Sequence, residues 1–251
     1  MPVVEASLLT SPGTAVGARA GGLEARWLGR VDYASGHDLQ KRLVAERADG
    51  RIPDQLLLLE HPAVLTLGRH SDPAHILATP DVLAQRGIDV HRVERGGEVT
   101  YHGPGQLVAY PIIALSERGL LLRPLVRALE AALVETCASF AVVAARRDGH
   151  PGCWCDPDGP SPRKIGALGL RIERGVSYHG IALNVSVTLA DFALIDPCGM
   201  PEVISTSIDA EQLGIAGPLP APSTISVERA ARVFAPAFAE AIGATLTWPE
   251  A

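Results

Sequence analysis

The chain has 251 residues, of which 47% are hydrophobic and 20% are charged. This composition excludes a wholly disordered chain, and no apolar run approaches the roughly 18 residues that a membrane span requires. The formal net charge of −6 argues against general nucleic-acid binding. Four cysteines are too few for a disulfide framework in a chain of this length, so we expect reduced thiols and a cytoplasmic protein.

The chain is expected to form one domain behind a short tail. Residues 1–22 are rich in Gly, Ala, Ser and Pro, and they lack the basic region followed by an apolar stretch that marks a secretory signal. No internal repeat and no Pro/Ser-rich linker divides the remainder. We therefore predict an unstructured tail at 1–22 and a single domain at 23–251.

The sequence pattern of the first half of the domain predicts two helices among several strands. Apolar residues at helical spacing predict a helix within 33–48, and Thr79-Pro80-Asp81 has the N-cap, first-turn proline and acidic first turn of a short helix that ends at Gly87. The continuous apolar run 55–60 is typical of a strand buried on both faces. Further strands are predicted at 63–67, 88–93 and 106–113.

The second half predicts two longer helices and a hairpin. Leu125, Leu129, Leu133 and Cys137 form one apolar face of a helix that begins at Pro124 and ends near Ser139, and a last helix covers 227–242. Strands are predicted at 140–145, 164–173 and 176–187, the last two joined by a hairpin. Consecutive strands joined by a hairpin favour a mixed, largely antiparallel α/β fold over a doubly wound parallel sheet.

The use of lysine is unusual. Of 22 basic residues only Lys41 and Lys164 are lysine, and arginine occupies every other position. Arginine stays protonated, whereas lysine can lose its proton when it is desolvated or placed beside another cation. Lys41 lies in an amphipathic helix and is expected to face water. Lys164 begins a strand that continues with small residues, which favours a chemical role over that of an ordinary surface lysine.

A glycine-rich segment between two predicted strands is the first candidate for binding. Residues 95–106 contain four glycines, which allow backbone N–H groups to approach a ligand closely. An ordinary hairpin loop is the alternative. The spacing is not Gly-x-Gly-x-x-Gly and no helix follows, so a dinucleotide site is disfavoured.

The cysteines divide into different predicted roles. Cys198 lies in the turn Asp196-Pro197-Cys198-Gly199, where a thiol at the end of an element is a candidate nucleophile. Cys137 lies on an apolar helical face. Cys153 and Cys155 near His150 raise the possibility of zinc, but Cys-x-Cys is shorter than the usual spacer, so we expect apolar strand positions and no metal. His179 is expected to be a core or hydrogen-bonded histidine without a catalytic role.

Five segments together resemble the lipoyl(octanoyl) transferases, members of the biotin/lipoate protein ligase-like superfamily. They are LLLEHPAVLTLGR (57–69), RGGEVTYHGPGQLVAYPI (95–112), RKIGALGLRI (163–172), YHGIALNV (178–185) and PCG (197–199). The resemblance covers roughly 25–245. It implies a single α/β domain with a larger and a smaller sheet. It also implies transfer of an octanoyl group from acyl carrier protein to a lysine of a lipoyl domain through a cysteine thioester.

The resemblance also implies roles for individual residues. Cys198 is the acylated cysteine and Lys164 lowers its pKa. The implied substrate contacts are Arg95, Gly96, Gly97, Glu98, Val99, Thr100, Tyr101, His102, Ala167, Leu168, Gly169, Gly180, Ile181 and Ala182. Cys153 and Cys155 stand where the family usually has apolar residues, which leaves the catalytic assignments unchanged.

The implied partners are octanoyl-acyl carrier protein as donor and, as acceptors, the lipoyl domains of 2-oxoacid dehydrogenase E2 subunits and glycine cleavage H protein. No cofactor, nucleic acid or membrane is expected, and we expect a monomer. Because such partners are generally acidic and this chain is itself acidic, docking would need a local arginine cluster; the candidates are Arg69, Arg146, Arg147 and Arg163. Two alternatives remain open: an ATP-dependent lipoate or biotin ligase, which has no need of Cys198, and a non-enzymatic module that binds acyl carrier protein.

Overall fold

The structure, a computed structural model, describes residues 21–196, 203–214 and 225–249. The Pro-Cys-Gly turn with Cys198 and all but the last two residues of the predicted tail lie outside the described residues. Gly22, which we assigned to the tail, is the first residue of a strand.

Twelve strands form two sheets in the described part of the chain. The larger sheet contains β1 (Gly22–Arg30), β2 (Asp54–Glu60), β6 (Gln106–Ile112), β7 (Ala145–Arg147), β8 (His150–Cys155), β9 (Arg163–Glu173), β10 (Val176–Asn184), β11 (Ile204–Ser205) and β12 (Thr245–Thr247). The smaller sheet contains β3 (Val64–Leu67), β4 (Asp89–Arg92) and β5 (Thr100–His102).

The larger sheet is mixed, as the sequence predicts. Its order is β12-β1-β2-β6-β10-β9-β8-β7, and β11 pairs with β9. The pairs from β2 through β7 are antiparallel, whereas β1 pairs in parallel with both β2 and β12. The predicted hairpin joins β9 to β10 through Arg174 and Gly175, both with positive φ, which suits the right-handed twist of the strands.

Helices cover both faces of this sheet. Among the described residues they are α1 (Tyr33–Ala48), α2 (Pro80–Gln85), α3 (Leu122–Ser139), α4 (Ile208–Leu213) and α5 (Val227–Ala241), with two short 3-10 helices at Pro73–His75 and Leu189–Leu194. Helices α3 and α5 pack together on one face, and α1 packs on the other. No helix in the described ranges is long and apolar enough to cross a bilayer.

Strand β2 is buried on both faces, which confirms the prediction from its apolar run. Leu56 and Leu58 belong to the core under α3 and α5, whereas Leu57 and Leu59 belong to the core under α1. Period-two alternation therefore supplies two separate cores from one strand. This strand pairs with β6, and β6 with β10, so the centre of the sheet is rigidly held.

Several predicted boundaries differ from the structure, among them the end of the strand predicted at 176–187, which is Asn184. Helix α3 begins at Leu122 rather than Pro124; proline is tolerated there because the N–H groups of the first turn have no partner within the helix. The predicted strand at 140–145 is wrong: the chain leaves the helix through Ala141 at φ 58°, and β7 begins only at Ala145. Phe140 and Val142 are apolar because they pack in the core, without strand pairing.

Candidate active site

A pocket of about 540 Å³, including space open to solvent, lies where the loop between β4 and β5 crosses β9 and β10. Backbone and small side chains of the two central strands form its floor. Its lining residues are Tyr33, Arg95, Gly97, Glu98, Val99, Thr100, His102, Val108, Tyr110, Lys164, Ala167, Leu168, Gly169, His179, Gly180, Ile181 and Ala182.

Most residues singled out in the sequence meet in this pocket although they come from three separate segments. Lys164 and all of the predicted substrate contacts except Gly96 and Tyr101 line it. Register explains the convergence: Gly180 lies opposite Gly169, Ile181 opposite Leu168, and Ala182 opposite Ala167 in the antiparallel pair β9–β10. The two arms of this hairpin thus form one wall.

Tyr101 and Gly96 serve the framework of the pocket. The Tyr101 side chain is buried in the core of the smaller sheet, where its hydroxyl donates to Asp191 Oδ2 at 2.9 Å. Gly96 binds the loop to β9, because its N–H donates to the Leu170 carbonyl at 3.1 Å. A Cβ built on Gly169 would lie 2.6 Å from the Gly96 carbonyl oxygen, so glycine at 169 permits this close approach.

Arg95 holds the loop to the smaller sheet. Its side chain is buried, and Nη2 donates to both the carbonyl (2.6 Å) and the hydroxyl (2.8 Å) of Thr66 in β3. Nη1 donates to the Gly96 carbonyl at 3.0 Å. These donors are used within the protein, so Arg95 shapes the pocket and adds positive potential to it.

Lys164 reaches the pocket from the start of β9. It lies opposite Trp154 on β8 and beside Ser205 on β11, and Nζ lies 5.1 Å from the centre of the buried Trp154 ring. A Cβ built on Gly152, at φ 135°, would come within 3.1 Å of Lys164 Cε. Glycine at 152 therefore leaves space for the Lys164 side chain, which lies over the Trp154 indole ring. Lys164 also lines a second, smaller cavity with Gln106, Asn184 and Ser205.

Two buried histidines, His102 and His179, line the pocket, and a third, His61, lies within hydrogen-bond distance of the lining residue Tyr110; we call His61, His102 and His179 the histidine cluster. Burial lowers the pKa of His61 to about 4. Burial, followed by repulsion from His61, lowers the pKa of His102 to about 3. Burial likewise lowers the pKa of His179 to about 3, and Glu94 opposes that shift. All three imidazoles are therefore neutral at pH 7.

His179 has an uncommon backbone conformation. It adopts φ 55° within a strand, and its N–H donates to Gln40 Oε1 at 2.8 Å instead of to β6. The next residue, Gly180, passes so close to β6 that a Cβ would lie 1.9 Å from the Ala109 carbonyl oxygen. A non-glycine residue in this region is strained by about 1 kcal/mol or more and is characteristic of functional sites.

One cluster in the described ranges has the composition of a metal site: ligand atoms of His37, Glu94 and His179 lie within 4.8 Å of one another. The carboxylate is already occupied, since Glu94 Oε1 accepts from the Tyr178 hydroxyl at 2.9 Å and lies 3.6 Å from Lys41 Nζ. The two imidazole rings are stacked at an interplanar angle of 25°, and His37 Nε2 lies 3.3 Å from Glu94 Oε1. These contacts form a network of hydrogen bonds and ion pairs around Glu94.

Lys41 belongs to that network rather than simply facing water as the sequence predicts. Its Nζ donates to Glu173 Oε2 at 2.6 Å, and the side chain is 37% exposed. Of the arginines proposed for docking, Arg163 forms two hydrogen bonds to Glu211, at 2.7 and 2.9 Å. Its charge is compensated, so it is a weaker candidate for attracting an acidic partner.

The three described cysteines are structural. Cys137, Cys153 and Cys155 are buried and free of disulfides, and they pack in the core beneath α3. The last two lie on β8, as predicted. A hydrogen bond with Cys153, together with burial, raises the pKa of Cys137 far above its usual range, and burial raises the pKa of Cys155 to about 12. None of these thiols has the character of a nucleophile.

Four lining residues were not among the predicted contacts: Tyr33, Val108, Tyr110 and His179. Val108 and Tyr110 alternate on β6 and look like ordinary core positions. Tyr33 begins α1, more than sixty residues from the glycine-rich loop. Val108, Tyr110 and His179 lie within the segments quoted for the family resemblance, but local pattern does not separate them from ordinary core positions. Tyr33 lies outside those segments, and only helix docking brings it to the pocket.

The fold is shared with solved structures of lipoate protein ligases. A bipartite lipoate protein ligase from Thermoplasma acidophilum superposes with a TM-score of 0.62 at 14% identity, covering 90% of this chain and 87% of that one. A lipoate-protein ligase A bound with ATP gives 0.61 at 16% identity, covering 92% and 88%. At such low identity the likeness establishes the lipoate-protein-ligase fold and nothing about substrate.

Sequence comparisons narrow the class to a family. Residues 32–233 match the lipoyl protein ligase A/B catalytic domain. A protein of Acidobacterium capsulatum named octanoyltransferase is 50% identical over 192 residues, which is 73% of this chain and 78% of that protein. One of Chloroflexus aurantiacus with the same name is 44% identical over 214 residues, 85% and 94% of the two chains. The chain belongs to the lipoyl protein ligase A/B family and is an acyltransferase.

Proposed function

We propose that this acyltransferase moves an octanoyl group from octanoyl-acyl carrier protein to the acceptor lysine of a lipoyl domain, through a thioester on Cys198. The observation that carries the proposal is Lys164 on the wall of a pocket with apolar Val108, Leu168 and Ile181, in a chain whose relatives are named octanoyltransferase. The expected acceptors are E2 subunits of 2-oxoacid dehydrogenases and glycine cleavage H protein. A thiol used in this way must stay reduced, which favours the cytoplasm.

Cys198 is the best candidate for the nucleophile. The other three cysteines are buried, which keeps their thiols from a donor, and the pKa values of Cys137 and Cys155 are raised. A lysine ammonium about 4 Å from a thiolate contributes up to ~4 kcal/mol at an effective dielectric constant of 20, before desolvation is subtracted. Pairing with Lys164 would therefore favour the Cys198 thiolate at neutral pH.

In the first half-reaction, the Cys198 thiolate attacks the thioester carbonyl carbon of the donor. A new C–S bond forms, and the bond to the carrier's sulfur breaks. The departing thiolate takes a proton from water, and the Lys164 ammonium, which no longer faces a thiolate, gives its proton to the hydroxide so formed. The products are octanoyl-Cys198, the free carrier thiol and neutral Lys164.

In the second half-reaction, the amine of the acceptor lysine attacks the acyl-enzyme. The acceptor has lost one proton to water to become a neutral amine, and it passes a second to Lys164 as the amide C–N bond forms. Cys198 leaves as a thiolate, and the ion pair with Lys164 is restored. Arginine could supply charge at this position but could not accept the proton, because its pKa is too high.

An ATP-dependent ligase is the alternative within the same fold. A ligase must activate a free acid with ATP, whereas the thioester donor is already activated. Sequence relatives at 44 to 50% identity bear the name octanoyltransferase, whereas the ligases named above share only 14 to 16%. The closer relatives therefore favour transfer from a thioester.

Intact-mass spectrometry after incubation with octanoyl-acyl carrier protein tests the proposal. We expect one hydroxylamine-sensitive octanoyl adduct on Cys198, formed without ATP and discharged by a lipoyl domain. Cys198→Ser should form no thioester, whereas the matched control Cys153→Ser should react like the wild type. An adduct on Cys137, Cys153 or Cys155 would reject Cys198, and transfer of free octanoate that requires ATP would establish the ligase instead.

A further inference from the structure

A chain of buried hydrogen bonds connects the pocket with the strand that carries Lys164. His102 Nδ1 lies 2.7 Å from Gln106 Oε1, and Gln106 Nε2 lies 2.9 Å from Asn184 Oδ1. Asn184 Nδ2 in turn donates to the Thr206 carbonyl at 2.8 Å. The Thr206 N–H donates to the carbonyl of Lys164 at 3.0 Å. His102, Gln106 and Asn184 are all less than 10% exposed.

Backbone carbonyls set the direction of every bond in this chain. A carbonyl oxygen only accepts, so the Thr206 carbonyl requires the NH₂ group of Asn184 and turns Oδ1 toward Gln106. Gln106 must then present its own NH₂ group there, and the same nitrogen also donates to the Tyr101 carbonyl at 3.2 Å. The reversed Gln106 amide would place its oxygen against two acceptors.

It follows that the Gln106 oxygen faces His102, so Nδ1 of the histidine carries the proton. The hydrogen bond at one ring nitrogen determines the state of the other. The ring is neutral, so its remaining nitrogen, Nε2, has a free lone pair and can only accept. His102 lines the pocket together with Lys164.

We propose that Gln106 and Asn184 are positioning residues that hold His102 in the Nδ1-protonated form, so that Nε2 accepts a hydrogen bond from the attacking amine of the acceptor. This inference rests on the proposed function. The amine carries N–H groups that must be aligned while its lone pair meets the thioester carbon. The carrier's thioester offers no N–H at the reacting atoms, so the contact belongs to the second half-reaction.

The protonation state can be measured without any activity. NMR of the protein labelled with ¹⁵N-histidine distinguishes protonated from unprotonated ring nitrogens, and the His102→Gln spectrum identifies the His102 signals. We expect wild-type His102 to carry its proton on Nδ1 at pH 7. A proton on Nε2 would overturn the proposal, even if octanoyl transfer were fully established.

The kinetic test uses Gln106→Met, which keeps the side-chain length and removes the acceptor for Nδ1. We expect the single-turnover rate of transfer to a lipoyl domain to fall about tenfold, the size of one good hydrogen bond, while acylation of Cys198 changes less than about twofold. Gln55→Met is the matched control, because Gln55 is equally buried on β2 but bonds to Glu24 and Pro53. It should leave both rates unchanged.

Gln106→Glu supplies a rescue, and also a second variant in case Gln106→Met does not fold. Because its second oxygen faces the Asn184 Oδ1 acceptor in a buried position, the new carboxyl group is expected to be protonated, with its O–H donating to Asn184 and its other oxygen accepting from Nδ1, so the Nδ1 proton and most of the transfer rate should be retained. Wild-type transfer in Gln106→Met, or equal loss in both half-reactions, would overturn the positioning role. Absence of any acyl-enzyme in the wild type would instead reject the proposed function, which the NMR result does not depend on.

Discussion

The close approach of the glycine-rich loop to β9 makes Gly169→Ala an informative substitution. The new Cβ would lie 2.6 Å from the Gly96 carbonyl oxygen and 3.4 Å from Arg95 Cδ. An ordinary C···O contact is about 3.4 Å, so the loop must move away by roughly 0.8 Å. The neighbour is backbone and cannot rotate aside. We therefore expect the hydrogen bond from Gly96 N–H to the Leu170 carbonyl, now 3.1 Å, to weaken or break.

The cost is the sum of overpacking, about 1 to 3 kcal/mol, and one hydrogen bond, about 1 kcal/mol. The free energy of unfolding should fall by about 2 to 4 kcal/mol, which lowers Tm by roughly 4 to 16 °C in a domain of this size. Because Gly97 to Thr100 line the pocket, the KM for the acyl donor should rise as well.

Thermal denaturation followed by circular dichroism, and steady-state transfer kinetics, measure the two effects. Gly22→Ala is the matched control, since a Cβ there meets no atom within 4 Å and the substitution should change neither quantity. If Gly169→Ala had the same Tm as Gly22→Ala and the wild-type KM, the close backbone approach at Gly169 would not be what holds the glycine-rich loop on β9.

Three further predictions concern proton transfer, a buried charge and pH. Lys164→Arg should retain acylation of Cys198 but slow transfer to the lipoyl domain by about 10²-fold, because arginine cannot accept the proton of the amine. The two single-turnover rates are measured separately. Equal loss in both steps would mean that the shape of the lysine side chain, rather than proton transfer, is required. Arg118→Met removes a hydrogen-bonded partner of the buried Asp54 carboxylate and should lower the free energy of unfolding by about 3 to 5 kcal/mol in urea titrations, whereas the exposed Arg26→Met should cost almost nothing. The three histidines of the histidine cluster have lowered pKa values of about 3 to 4, so the unfolded chain binds more protons than the folded protein as the pH falls below about 6.5. The free energy of unfolding should therefore decline by about 1.4 kcal/mol per pH unit per histidine down to about pH 4. A pH-independent free energy of unfolding over that interval would contradict the lowered pKa values.

Local sequence determined the elements whose patterns are repeated or capped. The stripe of Leu125, Leu129 and Leu133 predicted α3, and Thr79 predicted the start of α2, where its hydroxyl accepts from the Val82 N–H. The apolar run of β2 predicted burial on both faces. Such signals depend on a few consecutive residues, so they can be recognised without knowledge of the rest of the chain.

Composition and family motifs also predict which residues form the functional site. The two lysines among twenty-two basic residues drew attention to Lys164, and the family motifs selected the glycine-rich loop and the strands that meet it. Lys164 and most of the predicted contacts line one pocket. The assignment of Cys198 as nucleophile remains a prediction, because that residue lies outside the described part of the chain.

Only the tertiary structure decided the surroundings of these residues. Residues 140–144 have strand-like composition but no strand partner, since apolar side chains can fill a core without joining a sheet. Tyr33, Tyr110 and His179 reach the pocket through helix docking and strand pairing, which no local pattern encodes. The direction of the His102 hydrogen bonds is likewise set by the Thr206 carbonyl, 104 positions away in the chain. A sequence specifies which groups are available, but hydrogen bonds act over about 3 Å, so their partners exist only once distant strands have paired.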